Sequence, residues 1–124
     1  MVSSDSSANV EGKIQIHDYV ITSIVRNVAS RIKGVSRISG NPIINNIADI
    51  MGSKSIRDRS ISVQMGKTNV SIELSVNLFF GYKLPEVAAD LQLAIDSEIK
   101  KITGLQVHKV DVIIRELDEP VEER

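Results

Sequence analysis

The sequence predicts an α+β fold: a two-layer α/β sandwich in which one mixed sheet of about five strands carries two long helices on a single face, with a short third helix. Three observations predict it. Two segments carry an apolar stripe at helical spacing. Two consecutive segments alternate apolar and polar residues with a glycine-containing turn between them. The strand alternation leaves one polar face, which fits a sheet covered by helices on one side only.

The elements follow in chain order. Ile14 and Ile16 suggest a short first strand. Ile21, Ile24, Val25, Val28, Ala29 and Ile32 then form one helical stripe, with Asp18 placed as N-cap and Gly34 as the left-handed C-terminal residue. Val35 to Ile38 reads as a weak strand. A short helix is expected from Asn41 and Pro42 through Ile43, Ile47, Ile50 and Met51 to Gly52. Ile61, Val63 and Met65 alternate with polar neighbours. After a turn at Gly66 to Asn69, the even positions Val70, Ile72, Leu74, Val76, Leu78 and Phe80 are all apolar. The second long helix opens at Pro85 and Glu86, runs along Val87, Ala88, Leu91, Ala94, Ile95, Ile99 and Ile102, and closes at Gly104. The last strand is expected from Leu105 to Arg115. Its apolar face switches between Val107 and Val110, which predicts a bulge near His108.

The chain has 124 residues, enough for one domain. The boundaries expected are a leader over 1–10, a single α/β domain over 11–115 and an acidic tail over 116–124. The leader contains four serines and no base. The tail carries Glu116, Asp118, Glu119, Glu122 and Glu123 around Pro120, whose mutual repulsion argues for fraying. There is no cysteine, so neither disulfides nor Cys-ligated zinc can support the fold. The longest apolar runs are three residues, too short for a membrane span or a signal-peptide core.

The formal charge of −1 is unevenly spread. Between Arg26 and Lys67 eight bases face two acids, Asp49 and Asp58, a local charge of +6. Within that stretch Lys54, Arg57 and Arg59 form a basic loop. One acid among these bases and no interleaved aromatic make it a weak nucleic-acid signal.

Catalytic patterns are missing from the sequence. Gly66-Lys67-Thr68 resembles the end of a phosphate-binding loop, yet Ile61 stands where that loop needs glycine, and the segment lies between strands. It reads as a hairpin turn. No two glycines are spaced for a dinucleotide fingerprint. His17 and His108 are the only histidines and share no metal-ligand spacing. No catalytic, cofactor or metal residue is therefore assigned. The candidate interaction residues are Phe79 and Tyr82, in a segment holding three of the four aromatics, together with Lys54, Arg57 and Arg59.

The residue order resembles a known family. Gly12-Lys13-Ile14-Gln15-Ile16 before a helix, then Gly34-Val35, is similar to the opening of the alkaline shock protein 23 family of bacterial envelope-stress proteins. So is the later stretch: Val70 to Phe80, Gly81, Val87, Gln92, Ile99, Thr103-Gly104-Leu105, Val107 and Val110-Asp111-Val112. This chain has Ser60-Ile61 where the family commonly shows Gly-Val, and Phe80-Gly81 where it often has Tyr-Gly. The resemblance implies a cytoplasmic, non-enzymatic module of the general or envelope stress response. Such a module would act through protein partners, including a membrane-anchoring protein or further copies of itself, and would need no cofactor. The alternative from the residues is a nucleic-acid-binding accessory domain using Lys54 to Arg59.

Overall fold

The computed structural model describes residues 10–39 and 60–120. Among these residues the order is α1 (Asp18–Ala29), β1 (Val35–Ile38), β2 (Ile61–Met65), β3 (Asn69–Phe79), α2 (Leu84–Thr103) and β4 (Gln106–Asp118). The expected short helix from Asn41 to Gly52 lies outside the described residues.

β3 is the axis of the sheet. β4 runs parallel to it along one side, and β1 and β2 lie antiparallel along the other, so the sheet is mixed as expected. It has four strands and not five. Ile14 is exposed and outside any strand, while Ile16 is half-buried against the core. The stretch offers only two apolar positions and runs straight into the α1 cap at His17, too short a reach to nucleate a strand.

β1 and β2 do not sit side by side. Ile38 pairs with Val76 and Ile61 pairs with Leu74, so the two strands follow one another end to end along a single edge of β3. Ser75 sits between them: its carbonyl accepts from the Ser39 N–H at 2.9 Å, and its N–H donates to the Ser60 carbonyl at 2.9 Å. One position of the ladder is thus shared by two residues 21 apart in the chain.

Alternation along β3 decides the layers. Val70, Ile72, Leu74, Val76 and Leu78 are buried on one face, against Ile21, Ile24, Val25, Val28 and Ala29 of α1 and Val87, Leu91, Ile95 and Ile99 of α2. Each fully buried Leu or Ile contributes about 1.5–3 kcal/mol relative to exposure. Ser71, Glu73, Ser75 and Asn77 point to the opposite face. Ile102, expected on the α2 stripe, is exposed in the last turn of the helix.

The helix ends differ from expectation in detail. His17 is the N-cap of α1, its Nδ1 accepting from the Tyr19 N–H at 3.1 Å, and Asp18 is the first helical residue, where its charge suits the positive helix end. α1 ends at Ser30, before Ile32. Gly34 keeps its left-handed conformation, with φ of 100°, in the turn into β1. Gly104 caps α2 as expected, with φ of 80°.

β4 carries the expected bulge: Val107 pairs with Val70 and Lys109 with Ser71, leaving His108 as the extra residue. A second bulge at Arg115 follows between Ile114 and Glu116. The strand continues to Asp118, three residues past the expected end at Arg115 and into the expected acidic tail. Charge repulsion is overcome there because the Asp118 carbonyl accepts from the Phe80 N–H and its side chain finds three donors.

Candidate interaction surface

The face of the sheet opposite the helices is built from the odd positions of β3 and their register partners. Bulges decide which β4 residues join it. After His108, Lys109, Asp111 and Ile113 share that face with Ser71, Glu73 and Ser75. After Arg115, Glu116 and Asp118 share it with Asn77 and Phe79. Ser62 and Gln64 of β2 complete one end, where a shallow depression of about 200 Å³ is lined by these two with Ser71, Glu73, Lys109 and Asp111. Lys109 and Asp111 pair along its β4 side at 3.6 Å.

At the other end the Asp118 carboxylate joins three strands. Its Oδ2 accepts from the Ser36 hydroxyl at 2.6 Å, from Asn77 Nδ2 at 3.3 Å and from Arg37 Nε at 3.4 Å. The Ser36 hydrogen bond leads in holding the carboxyl below its ordinary value. Partial burial pushes the other way, and Asn77 and Arg37 add to the lowering. Asn77 is 2% exposed and its Oδ1 has no hydrogen-bond partner. The Ser39 hydroxyl is likewise buried and without a partner. Sequence reasoning missed this cluster, because Ser36 and Asp118 are 82 residues apart and no local pattern links them.

The aromatic segment begins where β3 ends. Phe79 is half-buried, and its N–H donates to the Gly34 carbonyl at 2.9 Å. Phe80 is 51% exposed and Tyr82 39%. A Cβ at Gly34 would lie 2.8 Å from Val87 Cγ2 and 3.1 Å from Tyr82 Cδ2, so the absence of a side chain there is what lets the Tyr82 ring pack down. Phe79 and Tyr82 therefore flank one rim of the sheet, with Phe80 the most open of the three. Lys54, Arg57 and Arg59 lie outside the described residues.

The two histidines sit on different elements. His17 caps α1 and also lies 3.0 Å from Asp18 Oδ1, a contact that becomes an ion pair only when the ring is protonated and the Tyr19 bond is given up. His108 is exposed in the first β4 bulge. Gly66-Lys67-Thr68 forms the β2–β3 turn, closed by a 2.7 Å bond from the Gly66 N–H to the Asn69 carbonyl. Neither helix among the described residues is long and apolar enough to cross a membrane.

Solved structures of the MamM CTD share this fold. A triple variant of it matches with a TM-score of 0.50 and 9% identity, covering 82% of this chain and 98% of that one. A double variant matches with the same score and identity over 83% and 100% of the two chains. In sequence, the chain is 26% identical over 103 residues to the uncharacterized protein YqhY of Bacillus subtilis (strain 168), covering 83% of this chain and 75% of that protein. Residues 6–118 match the family profile described as having a cell envelope-related function. The residue order noted in the sequence and this match over nearly the whole chain agree: the protein belongs to the alkaline shock protein 23 family.

Proposed function

We propose that the protein is a non-enzymatic interaction and assembly module of the cell-envelope stress response, acting through protein partners on the open face of its sheet. One observation carries this reading. The helices cover one face of the sheet and leave the other open, with Phe79 at its end beside a clasp that fixes the strand ends, and the exposed Phe80 and Tyr82 follow directly past the strand. The family's relation to the cell envelope supplies the setting. In that setting the module works at the cytoplasmic side of the membrane, held there by a membrane-anchoring partner.

The test is capture of the tagged full chain from gently solubilised membranes of its host, with and without nuclease. Recovery of an integral membrane protein regardless of nuclease is expected. Phe80→Asp should abolish that recovery with little change in thermal midpoint. A nuclease-sensitive set of ribosomal or nucleoid proteins would instead point to Lys54, Arg57 and Arg59 and overturn the proposal.

A further inference from the structure

β4 is 13 residues long, and only one of its edges is paired among the described residues. The direction of its peptide groups follows from its two ends. The Gln106 N–H donates to the Thr68 carbonyl, and the Asp118 carbonyl accepts from the Phe80 N–H, so both residues turn toward β3. Alternation past the bulges at His108 and Arg115 turns Val107, Val110, Val112 and Ile114 outward. One contact agrees with this: the Val110 carbonyl is met by Gln92 Nε2 of α2 at 2.9 Å. Gln92 thus caps, near its midpoint, a sheet edge that no strand among the described residues pairs.

We infer that this edge is a self-pairing surface, on which β4 of a second copy lies antiparallel about a two-fold axis through Val110. The inference rests on the proposed role as an assembly module and names its partner as the same chain. Charge complementarity supports a second copy as the partner and disfavours a register centred on Asp111. About that axis Lys109 stands opposite the partner's Asp111 and Asp111 opposite the partner's Lys109, two cross-strand ion pairs on the exposed face. The His108 bulge keeps the faces matched beyond them. With His108 as the extra residue, Val107 falls opposite the partner's Val112, both on the core side and both only half-buried in one copy. Gln106 then meets the partner's Ile113, which is 41% exposed. Centring instead on Asp111 would oppose two carboxylates, whereas centring on Val112, with Arg115 as the extra residue, would set Lys109 opposite the partner's Glu116 and Asp111 opposite the partner's Ile113, so the effect of reversing Asp111 separates the two registers. The outward groups of Val107, Val110 and Val112 are the ones this register bonds, so the Val110 carbonyl must leave Gln92. Gln92 is therefore an intramolecular competitor that sets how readily copies associate.

Sedimentation of the full chain over a concentration series tests this. A reversible dimer is expected. Asp111→Lys should weaken it about tenfold, since two attractive cross-strand pairs become repulsive. The exchange of both residues, Lys109→Asp with Asp111→Lys, should restore it. Gln92→Ala should tighten it by freeing the Val110 carbonyl. Lys109→Asp alone reads the same contact if Asp111→Lys fails to fold, which the thermal midpoint of each variant reports. A dimer indifferent to Asp111→Lys in a folded variant, or a parent and Gln92→Ala variant that both stay monomeric, would overturn the assignment. Membrane-partner capture that persists alongside such indifference removes the edge assignment alone. A charge-sensitive dimer without any captured membrane protein removes the envelope reading alone.

Discussion

Asp118 concentrates much of what individual side chains do in this protein. Its carboxylate takes hydrogen bonds from Ser36 and Asn77 and faces Arg37, so one residue near the end of β4 ties that strand to β3 and to β1. The Ser36 bond, offset by partial burial and reinforced by Asn77 and Arg37, places the folded-state pKa below the ordinary 3.8. A carboxylate depressed on folding stabilises the native state above its unfolded pKa, and that contribution is lost as pH falls through the lower folded value. Asp118→Asn keeps an acceptor for Ser36 and is neutral at every pH. The variant should melt below the parent near neutrality, and the gap between the two midpoints should narrow as pH falls through 3.8 toward the lower folded value. Thermal denaturation on either side of pH 3.8 checks it. A gap that stays constant would mean that the carboxylate's charge contributes nothing. The cluster was hidden in the sequence because its members lie on three strands and are ordinary polar residues locally. Asn77 had a weak signal only in hindsight of register, since nothing in its neighbourhood distinguishes it from Ser75 or Glu73.

Elements defined by periodicity were the legible part. The β3 alternation identified the inner face from Val70 to Leu78, and the change of face between Val107 and Val110 located the His108 bulge, because a bulge must shift a period-two pattern by one residue. Termini were less legible. His17 caps α1 in place of Asp18 because a ring nitrogen can accept from the Tyr19 N–H as a carboxylate would. Phe80, at the apolar parity of β3, is exposed because the strand ends at Phe79 and the chain turns through Gly81, with φ of 103°. The extension of β4 to Asp118 depends on donors supplied by β1 and β3, which no reading of the tail could supply. The same alternation sets a sharp contrast between neighbours on the central strand. Leu74 is fully buried in the core cluster, so Leu74→Ala should cost about 2–5 kcal/mol. Glu73, one residue away on the open face, should change stability by less than about 0.5 kcal/mol on replacement by Ala. Urea unfolding of the two variants measures the difference. Similar losses would mean that the open face is covered in solution.

At the scale of the whole molecule, β1 and β2 behave as one interrupted strand. Ile38 opposes Val76, Ser39 and Ser60 share Ser75, and Ile61 opposes Leu74, so the register on β3 would be continuous if Ser39 were followed directly by Ile61. The 21 residues from 40 to 60 are thus an insertion at one ladder position, placed where the chain can leave and return without disturbing either neighbour. Removing them should give a protein with the same sheet, in which Ser39 supplies both the N–H and the carbonyl that Ser75 needs. Closing a loop of this length costs about 2–3 kcal/mol of chain entropy, which the shortened protein avoids. It should therefore unfold cooperatively at or above the parent's midpoint, with amide-exchange protection at Ser75 retained. The same deletion removes Lys54, Arg57 and Arg59 together while leaving the aromatic rim, the Asp118 clasp and the β4 edge in place. A folded, shortened protein that still captures its membrane partner would locate recognition on the sheet. One that folds equally well but captures nothing would locate it on the insertion, and the open face would then serve as the platform that presents it.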